Sequence, residues 1–135
     1  MNTFELADNI VKLEIDQLEI FIFERKEGEG LMCLFLLLDR FNKKNEYKLA
    51  ELISKVIIIK FAFLEGIEIF QIYFYQNVIR VFPNSILFIE CIVQCGLPPF
   101  NFNLKEYFDF EMYKEKLFDL SPTSAVLTKI KEFEE

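Results

Sequence analysis

Over the first 64 residues, apolar and polar positions alternate more clearly than they recur at helical spacing. Val11, Leu13 and Ile15 alternate with Lys12, Glu14 and Asp16, the period of two expected of a half-buried strand. The parity slips at Asp16-Gln17, and Leu18, Ile20 and Ile22 resume on the other register, which suits a bulge or a tight connection to a second strand. Residues 24–30, ERKEGEG, read as a glycine-bearing turn. Residues 31–38 are apolar throughout and predict a central strand buried on both faces. DRFNKKN, 39–45, reads as the next turn. From Tyr47 the odd positions Tyr47, Leu49, Ile53, Ile57, Ile59, Phe61 and Phe63 are largely apolar, and β-branched residues crowd 56–59. That pattern predicts one long strand bent near Ser54-Lys55, with a helix over 49–54 as the alternative. Consecutive strands joined by short turns imply an antiparallel sheet.

The period changes at Gly66. Ile67, Phe70, Phe74 and Val78 fall at helical spacing. Pro83 ends that element and opens another. In 84–95, Ile86, Ile89 and Val93 share one face and Glu90 and Gln94 another; Gly96 then stands where a C-cap glycine belongs, and Pro98-Pro99 forbid continuation. Residues 105–119 predict a charged amphipathic helix on Tyr107, Phe110, Tyr113 (or Lys114) and Leu117. Ser121-Pro122 breaks it, leaving 123–135 as a short polar terminal helix or tail. The expected fold class is α+β: a four-stranded antiparallel sheet followed by two to three helices packed on one face. The expected organisation is a single domain over 1–135, with strands at about 4–64, helices at about 66–119 and a short C-terminal tail, 121–135.

Composition narrows the function classes. The chain has 135 residues, 53% of them apolar, with 17 Phe, no Trp and no His; that apolar content excludes disorder. A mean hydropathy of +0.23 means apolar surface beyond one small core has to be covered or used. The net charge of −7 argues against a nucleic-acid partner, which needs Lys and Arg against phosphates. The longest apolar run, 31–38, is eight residues, where a spanning helix needs about 20, so no membrane span is expected. No basic region leads into an apolar one at the N-terminus, and three cysteines are an odd number. Both features point to free thiols and a cytoplasmic location.

Catalytic chemistry is sparse. Without histidine, Ser-His and Cys-His nucleophiles and histidine metal sites do not arise. Cys91 and Cys95 are four apart on a predicted helix, but zinc needs about four ligands and only Glu90 and remote Cys33 remain to complete a set; core thiols are the expectation, and no metal. Four glycines, none in a phosphate-cradling array, imply no nucleotide cofactor. Glu106 with Asp109 or Glu111 has the makings of an acid–base pair, but a solvated helix face explains those charges better. The chain is therefore expected not to be an enzyme.

Val81-Phe82-Pro83, a helix of about a dozen residues, and then Cys95-Gly96-Leu97-Pro98-Pro99-Phe100-Asn101-Phe102 together resemble the SecB-like protein-export chaperone family. That family opens a long helix with Phe-Pro and follows it with a Gly-x-Pro-Pro crossover loop. Tyr107-Phe108 stand near its Asn-Phe before the last helix. Departures are the missing second proline near Leu104-Lys105, the shortened segment at ERKEGEG, and an acidic tail reduced to Glu132, Glu134 and Glu135. The resemblance implies an ATP-independent holdase that binds unfolded or preprotein clients, for export or for one dedicated pathway. It places Leu97, Pro98, Pro99, Phe100 and Phe102 in the client groove and sets Glu14 and Glu19 near the acidic residues that meet the SecA translocase motor. It further implies a homotetramer, with a homodimer second, paired through the 67–79 face. The alternative is a small interaction protein of the same fold that binds one folded partner, in a toxin–antitoxin, immunity or inhibitor role.

Overall fold

The computed structural model describes residues 2–62, 64–97 and 109–134. All regular structure among them is helical, in eight helices, so the expected four-stranded sheet is overturned. The chain forms two compact units, 1–67 and 68–135.

The first unit contains α1 (Thr3–Lys12), α2 (Ile15–Phe23), α3 (Glu27–Lys44) and α4 (Tyr47–Lys60). Asn2 caps α1: its Oδ1 accepts from the Glu5 backbone N–H at 2.9 Å, and its side-chain amide donates to Glu5 Oε1 at 3.0 Å. Such a cap stabilises a helix start by about 1 kcal/mol. Leu6 and Ile10 on α1, and Leu18 and Ile22 on α2, are buried one turn apart. The alternation at Val11, Leu13 and Ile15 therefore straddles the end of α1, its C-cap Leu13 and the start of α2. The parity slip at Asp16-Gln17 lies in the first turn of α2.

The run 31–38 shows why a continuous apolar stretch is ambiguous. In α3, Gly30, Cys33, Leu34, Leu37 and Phe41 face inward at helical spacing, whereas Leu31, Met32 and Phe35 are exposed. A strand and a helix both accept eight apolar residues; only the length of the whole element, 18 residues, separates them. The expected turn at 39–45 is helix as far as Lys44. The reversal is confined to Asn45, in the left-handed region at φ 53°, a conformation asparagine tolerates better than most residues. In α4 the buried residues are Leu49, Ala50, Leu52, Ile53, Ser54, Val56 and Ile57, a three-four repeat that the odd-position reading conceals. Tertiary packing outweighed the strand preference of its β-branched residues.

Arg40 joins three elements of this unit. Its Nη1 donates to the carbonyls of Ile10 at 2.9 Å and Leu13 at 2.8 Å, at the end of α1, while Nε and Nη2 form a fork onto Glu46 at 3.0 and 3.2 Å, at the start of α4. Arg40 is 8% exposed; its Nη1 satisfies two carbonyls at the end of α1 that the helix itself leaves without a partner, and its charge is met by the Glu46 carboxylate.

The second unit holds α5 (Ile67–Val81), α6 (Ile86–Cys95), α7 (Phe110–Leu120) and α8 (Ala125–Glu134). Here the boundaries fall near the expected places. Gly66, at φ 85°, precedes α5; Ser85, after Pro83, caps α6 through Phe88 N–H at 3.3 Å; Gly96 is its C-cap. The core centres on three rings: Phe88 of α6 meets Phe74 and Tyr75 of α5 edge-on at 6.4 and 6.0 Å. Buried Gln71 donates to the Tyr75 hydroxyl at 3.1 Å.

Candidate partner-binding groove

In the second unit α7 and α8 both pack on α6. Asp109 caps α7, its Oδ1 accepting from Met112 N–H at 3.1 Å. Leu117 of α7 is fully buried, while its neighbour Phe118 turns outward and is 58% exposed. The break at Ser121-Pro122 reverses the chain. Ser124 then holds the start of α8: its Oγ accepts from Val126 N–H at 3.2 Å and donates to Glu90 Oε2 of α6 at 2.7 Å.

Between α7 and α8 lies a groove of about 390 Å3. Buried Leu127 and Ile130 form its floor, with Phe118 as an exposed lip and exposed Pro122 also lining it. Lys114, Glu115 and Asp119 line the α7 side, and Lys131 the α8 side. Lys114 pairs with Glu111 at 3.2 Å. Glu115, Asp119 and Lys131 are exposed. An apolar floor between charged ridges suits the capture of apolar side chains from another polypeptide.

The residues expected to act are distributed differently. Leu97 is buried, 7% exposed, just beyond the C-cap of α6; it serves the core. Pro98, Pro99, Phe100 and Phe102, with Leu104, Lys105, Glu106, Tyr107 and Phe108, lie outside the described residues. Glu14 is the exposed N-cap residue of α2. Glu19 pairs with Lys55 and so ties α2 to α4. Phe74 and Val78, expected on an inter-subunit face, are buried, and Phe74 packs on Phe88 of its own unit; Ile69 and Tyr73 are exposed within 67–79, and Arg80 and Val81 at the end of α5.

The candidate acid–base carboxylates are otherwise engaged, Asp109 as a cap and Glu111 with Lys114. No group of three His, Cys, Asp or Glu side chains capable of holding a metal is gathered among the described residues. Cys95 is buried and half-buried Cys91 stands one turn before it on α6. Burial pushes the Cys95 thiol up to about 12, with the Cys91 sulfur adding to the rise. Burial likewise raises Cys33, on α3, to about 11, against the lowering effect of Arg25. Such thiols stay protonated and unreactive near neutrality.

Phe118, Leu127 and Ile130 were not singled out from the sequence. For Leu127 and Ile130 the signal is the apolar spacing Val126, Leu127, Ile130 and Phe133 inside the segment expected as a short polar terminal helix or tail, directly after Ser121-Pro122.

No family model matches the chain, and no match to it is found among curated proteins or solved structures. No helix among the described residues is long and apolar enough to cross a membrane.

Proposed function

We propose that this protein is a non-catalytic, cytoplasmic binding protein that takes an apolar segment of one dedicated protein partner into the α7–α8 groove. The carrying observation is the groove itself: an apolar floor of Leu127 and Ile130, an exposed Phe118 lip, and charged ridges on both sides. A phenylalanine 58% exposed at the edge of a cleft gains roughly 1 kcal/mol or more when a partner covers it, and aromatic anchors of this kind dominate binding energies.

A second reading is the ATP-independent holdase, with unfolded or preprotein clients and a possible handover to the SecA motor. It draws on exposed apolar side chains scattered across both units, among them Phe4, Ile20, Ile59 and Tyr73. In that reading, self-association to a homotetramer or homodimer would cover part of this surface between encounters. The dedicated-partner reading is preferred because Phe118, Leu127 and Ile130 gather around one cleft, whereas the other exposed apolar residues, among them Leu31 and Phe35 on α3 and Ile69 and Tyr73 on α5, are spread over the helices of both units.

Client breadth separates the two. Purified protein added at stoichiometric ratio to several unrelated aggregating proteins is expected to leave their light scattering unchanged. Suppression of most of them, abolished by Phe118→Ala or not, would establish the holdase instead. A solution mass of about 16 kDa, the mass of one chain, would remove the homotetramer and homodimer together.

A further inference from the structure

Building on the protein-binding reading of this groove, we infer that its occupant is a basic amphipathic helix of the partner, lying along α7. The first ground is backbone chemistry. An extended segment laid on the apolar floor would present N–H and C=O groups that need partners. A sheet edge supplies those partners, and all regular structure among the described residues is helical. A helix arrives with its own backbone hydrogen bonds made and offers only side chains.

The second ground is charge. Glu111, Glu115 and Asp119 form one row along α7, each a turn from the next. Glu111 is engaged by Lys114; Glu115 and Asp119 are exposed and form no ion pair among the described residues. Lys or Arg residues one turn apart on an incoming helix fall at the same spacing, about 6 Å. Its apolar stripe then meets Phe118, Leu127 and Ile130. Lys131 on the opposite ridge favours an acidic residue on the other flank, which sets the direction in which the helix lies. The chain's net charge of −7 steers a basic segment toward it over longer range.

The test uses the full chain and three fluorescent peptides of about 16 residues, roughly 24 Å long when helical. The first carries Leu and Phe at helical spacing with Lys and Arg along one flank. The second replaces two central residues with proline, which breaks the helix while keeping the charge. The third exchanges Lys and Arg for Glu. Anisotropy titrations should show the first peptide binding about tenfold more tightly than either of the others. Phe118→Ala should weaken the first peptide about tenfold. The double change Glu115→Gln and Asp119→Asn should weaken it about threefold and flatten its salt dependence. Circular dichroism checks that both variants keep their helix content.

Equal binding of the proline-bearing peptide, still weakened by Phe118→Ala, would overturn the helical occupant and leave the groove a protein-binding site. Equal binding of the acidic peptide, again weakened by Phe118→Ala, would overturn the basic flank in the same way. Binding that ignores Phe118→Ala, or no binding of any peptide to the folded chain, would overturn both the inference and the reading beneath it.

Discussion

The two units use their polar side chains in different ways. In the first, charges close helix onto helix: Arg40 spans α1, α3 and α4 through Ile10, Leu13 and Glu46, Lys55 pairs with Glu19 between α4 and α2, and Lys60 donates to the Arg25 carbonyl at 2.6 Å. In the second, the core is held by aromatic rings and capped helices, Glu90 of α6 accepts from the Ser124 hydroxyl at the start of α8, and the acids Glu115 and Asp119 are left facing solvent beside a groove. Charge bound within a fold specifies that fold, whereas charge left beside an apolar cleft remains free to select a partner.

The largest test of this contrast is Phe88→Ala. Phe88 is fully buried against Phe74 and Tyr75, so its truncation should cost about 4 kcal/mol. Hydrogen exchange should accelerate in α5–α8 and much less in α1–α4. Equal acceleration in both would mean that the units do not differ in what holds them.

Next comes Arg40→Ala, expected to cost about 3 kcal/mol because two helix-end carbonyls and the Glu46 carboxylate lose their donor together. Urea denaturation measures it, and the exchange pattern should be the converse of that for Phe88→Ala. A cost below about 1 kcal/mol, typical of an exposed ion pair, would show that the three-way junction contributes little.

A smaller effect sharpens the packing of the first unit. A Cβ at Gly30 would lie 2.8 Å from Phe61 Cζ and 2.9 Å from Lys60 Cε, while one at Gly28 meets nothing within 4 Å. Gly30→Ala should therefore destabilise by about 1 kcal/mol, overpacking exceeding the gain in helix propensity. Gly28→Ala should stabilise by about 0.5 kcal/mol. Thermal melts of the two variants should move in opposite directions, and a shared sign would contradict the close approach of α3 to the end of α4.

The thiols give the smallest effect near neutrality. Iodoacetamide at pH 8 should label half-buried Cys91 well before Cys33 or Cys95. Because folding raises the pKa of Cys33 to about 11 and of Cys95 to about 12, the folded state holds protons that the unfolded state has released. Stability is thus unaffected below pH 9 and falls as pH rises from 9 through the folded values. A denaturation midpoint constant between pH 9 and 11 would contradict their burial.

The same division between units decides how much of the fold was legible. Gly66 stands at the boundary before α5, and Pro83, Gly96 and Ser121-Pro122 punctuate the second unit; glycine and proline act on the backbone whatever the tertiary context. Helices α5 to α8 accordingly lie close to their expected places. The first unit has no proline, and of its three glycines Gly28 and Gly30 sit inside a helix, leaving only Gly66, at its very end, to mark a break. With few breaks to anchor the register, alternating residues across the α1–α2 junction imitated a strand, and β-branched residues in α4 reinforced the error. Of the expected site, Leu97 is buried and Glu19 forms a helix–helix pair, while Pro98, Pro99, Phe100 and Phe102 lie outside the described residues; the groove is formed in part by the segment expected to be a short terminal helix or tail. A groove between two helices depends on which faces remain after packing, and periodicity within either helix does not specify that.

The most direct test of the binding role is an amide and methyl chemical-shift titration of the full chain with the basic helical peptide. Perturbations confined to Phe118, Leu127, Ile130 and their neighbours on α7 and α8, with α1–α4 unmoved, are the expected result. Shifts spread over Phe4, Ile20, Ile59 and Tyr73 as well as the groove would contradict it and identify a surface that binds apolar chains without selection.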